Sequence, residues 1–153
     1  MYSKQEASQL RQEFWTAFGQ YMSPVLSGEG EKINWINYKT GEKDIYFRMN
    51  ADNKKASIGI ELTHKDADIQ ALYFEQFKQL KSLLQNALPG KWTWLLHARN
   101  EQGKTISRIY TEIENVSIFK KDDWPQLISF FKPRIMALDE FWSTAKYVFE
   151  AMR

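Results

Sequence analysis

A chain of 153 residues with ten Phe, seven Tyr and six Trp carries enough apolar mass for one aromatic-rich core, and its formal net charge of +2 lies far from the basic excess that alone marks a nucleic-acid binder. With no cysteine, disulfides, thiolate zinc sites and cysteine nucleophiles are excluded, which is compatible with a reducing cytosol. The polar start MYSKQEASQLRQEFW has no apolar h-region, and nowhere do about 18 apolar residues run together, so the expectation is a cytoplasmic protein of one domain, 1–153, with no membrane span.

Ser3 followed by Glu6 fits a capping box, and Leu10, Phe14, Ala17, Phe18 and Tyr21 fall at helical spacing, so a helix is predicted over 4–22, ended by Pro24, Gly28 and Gly30. INWINY (33–38), a Thr40-Gly41 turn and DIYFRMN (44–50) read as a hairpin, which KASIGIELT (55–63) extends to a three-strand meander. Asp66 and Asp68 open a second helix with Ile69, Leu72, Phe77, Leu80, Leu84 and Leu88 on one face, closed by Pro89-Gly90. KWTWLLHA (91–98), apolar on both faces, reads as an inner strand, and KTISRIYTEIENVSI (104–118) returns after Gly103 with a break at Asn115. A last helix starts at Asp122 or Asp123 with Pro125 in its first turn, is kinked or split at Pro133, and runs to the C-terminus. The resulting fold class is α+β: helix, three-strand meander, helix, two strands, helix, around a mixed, mostly antiparallel five-strand sheet flanked by helices.

Within the meander, alternation sends Ile45, Phe47 and Met49 to one face and Asp44, Tyr46 and Arg48 to the other; Ile58, Ile60 and Leu62 alternate in the same way with Gly59, Glu61 and Thr63. Pairing Phe47 with Ile60 puts Tyr46 opposite Glu61 and Asp44 opposite Thr63. Two acids on one face are candidate ligands for a hard cation such as Mg²⁺. The plainer reading of the same face is a cross-strand ion pair between Arg48 and Glu61.

This order of elements, with an aspartate at the start of one strand and an acid-X-X tripeptide at the end of the next, resembles the PD-(D/E)XK nuclease superfamily and implies a restriction-endonuclease-like core. The resemblance makes Asp44 and Glu61 the metal ligands of a Mg²⁺-dependent nuclease. Thr63 stands where that family has lysine, and Lys43 where it often has proline. Because a hydroxyl cannot supply the missing positive charge, Lys65, or Lys78 from the second helix, would have to replace it.

Over a longer stretch, from EFW at Glu13 to FWSTAKYVF ending at Phe149, with WINY, IGIEL, GKWTWLL and DDWPQLISFFKPRIMALDEF between, the chain is similar to the bacterial family called domain of unknown function 4268. Members of that family occur alone or behind a PD-(D/E)XK-like part, which implies a nucleic-acid or genome-defence setting; no catalytic residues are assigned in it.

Other residues fit blander roles. His97 reads as a core or strand-end histidine, and His64 as a lesser candidate for a metal or water ligand. Lys39, Lys43, Lys54 and Lys55, with Lys120 and Lys121, are candidate phosphate-binding rims, though turn lysines are usually only solvated. Trp35, Tyr38 and Tyr46 could stack on unpaired bases if exposed, yet core is their default. The broad apolar face of the last helix offers a ridge for a protein partner or a second copy. The scattered glycines include no phosphate-cradling loop, and no resident cofactor is implied beyond Mg²⁺ in the nuclease reading. The function expected is a non-catalytic binding or assembly module associated with nucleic-acid processing or genome defence, with the nuclease as the other reading.

Overall fold

The computed structural model describes residues 2–88 and 90–153. The first helix, α1 (Lys4–Met22), is started by the expected capping box: Glu6 N–H donates to Ser3 Oγ at 3.1 Å, and Ser3 N–H donates to Glu6 Oε1 at 3.4 Å. It buries the narrow stripe Phe14, Phe18 and Met22. Tyr21, expected on that face, is instead half exposed with the Lys132 ammonium 4.9 Å over its ring, because α1 packs mainly on one neighbour and a single stripe suffices.

The predicted strand at 33–38 does not form. Asn34 Oδ1 accepts from the N–H groups of Ile36 and Asn37, both at 3.1 Å, and this side-chain turn bends the chain where a strand needs extension. Side chains anchor the segment instead: Trp35 Nε1 donates to Val25 O (2.9 Å) and the Tyr38 hydroxyl to Asp139 Oδ1 (2.6 Å). The sheet therefore has four strands, not five: β1 (Ile45–Ala51), β2 (Lys55–Leu62), β3 (Thr93–Arg99) and β4 (Thr105–Glu114), in the order β1-β2-β4-β3. Every neighbouring pair is antiparallel, so the sheet is not mixed.

The β1/β2 register pairs Phe47 with Ile60 and Tyr46 with Glu61, as expected from the alternation. By contrast, 91–98 is no inner strand. β3 pairs with β4 alone and lies at the sheet edge, where Leu95 and Leu96 remain exposed. Its apolar-on-both-sides pattern accommodates a bulge between Leu95 and Ala98, with His97 at φ 54°. β4 takes the inner position and stops at Asn115, which has φ 63°, at the break expected there.

Asp66 caps α2 (Ala67–Gln79) by accepting from the N–H groups of Asp68 and Ile69. The helix does not run on as predicted; it breaks at Leu80, and α3 (Lys81–Ala87) follows. The break carries Leu84 and Leu88 into the core while Leu72 is left 61% exposed. Of the expected Pro89-Gly90 stop, Pro89 lies outside the described residues. After a 3-10 turn at Lys121–Asp123 comes α4 (Trp124–Glu150), which passes through Pro133 without splitting; the proline sits on an exposed side, where a carbonyl that loses its partner can turn to water.

α4 is the spine of the core. It buries Phe131, Ile135, Leu138, Phe141, Trp142 and Phe149, with Phe149 against Phe77 of α2 (4.4 Å between ring centroids) and Trp142 against Phe47 of β1 (5.7 Å). Ile45, Phe47, Ile58, Ile60, Leu62 and Ile109 meet this layer from the sheet. Most of the expected apolar face of α4 is thus consumed inside the chain, and its exposed large aromatic is Tyr147, at 61%. Among the described residues, no helix is long and apolar enough to cross a membrane.

Candidate functional site on the open sheet face

Strand alternation that sends one set of side chains toward α2 and α4 leaves the opposite set without a helical layer. Two rows cross that outer face. Arg48, Gly59, Tyr110 and Thr93 align in one, and Tyr46, Glu61, Arg108 and Leu95 in the next. At the centre Glu61 lies between two guanidinium groups, Arg48 Nε at 3.7 Å and Arg108 Nε at 3.9 Å. Both separations exceed hydrogen-bond length, and Arg108 Nε is buried without a hydrogen-bond partner among the described residues. Charge rather than directional bonding holds the group together.

Each arginine also lies over a tyrosine of its own strand: Arg48 over Tyr46 at 4.2 Å and Arg108 over Tyr110 at 4.0 Å. Gly59 makes the arrangement possible. A Cβ there would come within 2.4 Å of Ile109 O and 2.6 Å of Tyr110 Cβ, so any side chain would force β2 and β4 apart.

The sequence candidates distribute around this centre. Asp44 precedes β1 in a left-handed conformation (φ 66°). Thr63 ties it down, donating its N–H to Asp44 O (3.0 Å) and its hydroxyl to Asp44 Oδ1 (3.3 Å). The threonine that replaces the motif lysine is therefore the aspartate's own hydrogen-bond donor. Glu61 is flanked by arginines, and among the described residues no group of three or more His, Cys, Asp or Glu side chains is placed to hold a metal ion.

Lys65 is exposed beyond β2, and Lys78 sits 5.3 Å over the Phe74 ring on the helical side. Lys39, Lys43, Lys54 and Lys55 are all exposed, and Lys55 pairs with Glu112 at 3.5 Å. Of the aromatic candidates, Trp35 is buried and Tyr38 is engaged with Asp139, so Tyr46 alone of the three belongs to the open face.

His64 Nδ1 accepts from Asp66 N–H at 3.0 Å. His97 Nε2 lies 3.0 Å from Ala67 O, which requires that nitrogen to carry the proton.

Sequence reasoning weighed neither Arg108 nor Tyr110, because the pairing of β4 with β2 joins residues 45 to 59 positions apart in the chain and has no local signature. It also missed Asp139, one charged side chain on the apolar face of α4. Asp139 is 6% exposed, and its Oδ2 accepts from Gly28 N–H at 2.6 Å while Oδ1 accepts from Tyr38. A groove of about 430 Å³ between the 26–28 loop and α4 adjoins it. Burial, then the hydrogen bond and charge of Asp139, hold the Tyr38 phenol well above its ordinary range.

The family model described as "Domain of unknown function (DUF4268)" matches residues 10–146. No curated protein and no solved structure matches the chain.

Proposed function

The chain belongs to the DUF4268 family, and from that premise we propose that it is a non-catalytic binding module, working beside nucleic-acid-processing or genome-defence proteins, with the helix-free sheet face as its contact surface. The observation that carries this reading is the Arg48–Glu61–Arg108 group at the centre of an uncovered face. A carboxylate facing two cations is poorly disposed to give its oxygens to a third, whereas arginines and tyrosines are the side chains that contribute most at recognition surfaces. Site-specific photo-crosslinking in cells tests it. A photoreactive residue at Tyr46 should yield adducts, and one at the more exposed Tyr147 of α4 should not; adducts from position 147 alone would move the surface to the C-terminal helix, where a protein partner or a second copy would dock.

A second reading, the Mg²⁺-dependent nuclease, draws on the hydrogen bond from the hydroxyl of Thr63, two residues after Glu61, to Asp44 Oδ1. There the two acids would hold the metal and Lys65 would supply the positive charge. Calorimetry with Mg²⁺ separates the readings: saturable heat that disappears in Asp44→Ala/Glu61→Ala supports the nuclease, and its absence in the wild type leaves the binding module.

A further inference from the structure

We infer that the open sheet face takes single-stranded nucleic acid, with unpaired bases stacked over the Tyr46/Arg48 and Tyr110/Arg108 pairs and the phosphates running toward the lysines at the two ends of the β1–β2 hairpin. This rests on the reading of that face as the contact surface and names its occupant.

Stacking comes first. A guanidinium lying over a phenol ring leaves its outer plane free, and Arg48 keeps 48% of its side chain exposed in that position. Bases stack on guanidinium planes as they do on aromatic rings. Strands lie ~4.8 Å apart and same-face residues ~6.8 Å apart along a strand. Tyr46 and Tyr110, two strands and one row apart, are therefore separated by roughly 12 Å at the backbone. Three successive nucleotides span that distance at roughly 6 Å per step, longer than the ~3.4 Å rise of a stacked strand, with the middle nucleotide crossing β2 between the two pairs.

Charge agrees with this placement. The exposed Lys43 and Lys65 lie at one end of the hairpin and Lys54 at the other, flanking the stacked pairs. Glu61 does not undo the attraction, since two guanidiniums outnumber it and ion pairs at 3.7 and 3.9 Å are loose enough for the arginines to adjust.

The same face fits other macromolecules poorly. Its arginines and tyrosines would serve a protein partner as well, but its centre also holds Glu61 and has Leu95 as the aliphatic member of the two rows, while the cores of protein interfaces are depleted of Glu and more apolar. A sheet face offers neither a helix nor a two-stranded ribbon to enter a duplex groove, and paired bases have no free plane to stack.

Fluorescence anisotropy on the full chain, with labelled 12-nucleotide DNA and RNA strands and a 12-base-pair duplex at low salt, tests the inference. Single strands should bind about tenfold or more tightly than the duplex, and Tyr46→Ser and Arg48→Ala, at solvent-facing positions, should each weaken single-strand binding by about tenfold while thermal unfolding stays unchanged. Equal affinity for the duplex, or unaltered binding by both variants, would overturn it. If no oligonucleotide binds while Tyr46 still crosslinks to a protein, the inference falls and the sheet-face reading stands; if position 46 gives no adduct either, both fall.

Discussion

Tyr38 shows how one residue can be legible as a type and not as a role. Aromatic content made it a core or stacking candidate; the structure gives its hydroxyl to a carboxylate 101 positions away, and this bond ties the irregular 23–44 segment to α4. A consequence follows for pH. Burial and Asp139 raise the Tyr38 pKa in the folded state, so below pH ~10 both folded and unfolded chains keep the proton and it contributes no slope. Above pH ~10 the unfolded chain releases it while the folded chain holds it; the native state then binds more protons, and stability falls as pH rises toward the folded pKa. Tyr38→Phe should lose stability at neutral pH, because it leaves Asp139 short of a donor, and should show a shallower decline from about pH 10 to about pH 11.5 in urea titrations. An unchanged alkaline slope would mean that Tyr38 is not held in this way.

Elements fared according to how local their causes are. α1 is set by a cap within its first turn and by a stripe of Phe14, Phe18 and Met22, all readable along the chain. The β1/β2 pairing follows from period-two alternation across a short turn, where Asp52 Oδ1 accepts from the N–H groups of Lys54 and Lys55, both at 2.8 Å. The break at Leu80 carries neither glycine nor proline, so nothing local announces it; the burial of Leu84 and Leu88 accompanies it. For 91–98, apolar residues in succession read as an inner strand, but position within a sheet belongs to the partner strand and not to the strand itself. Hydrogen exchange should register the difference. Amides of β2 and β4, paired on both sides, should exchange roughly tenfold or more slowly than those of the edge strand β3. Equal protection of β3 would point to a partner strand covering that edge.

At the scale of the whole molecule, two layers are enough to bury the aromatic core: α2 and α4 against one face of the sheet, with α1 and α3 packed on α4. That economy leaves the other face open, and it gathers residues from β1, β2 and β4 into one constellation that no contiguous stretch contains. The sequence by itself determined the α+β class, the first helix and its cap, the register that sets Tyr46 opposite Glu61, the end of β4 at Asn115, and the family that residues 10–146 match. These rest on periodicity, caps and turns that act over a few residues, or on a pattern spread along the chain. Only the tertiary structure decided where 33–38 is anchored once the Asn34 turn has bent it, that the sheet order is β1-β2-β4-β3, and that Arg108 joins Arg48 at Glu61. Each of these depends on which distant segments meet: the hydrogen bonds of Thr40 and Tyr38 to α4 join groups 102 and 101 residues apart, and the hydrophobic pattern that drives such meetings says which face is buried without saying against what.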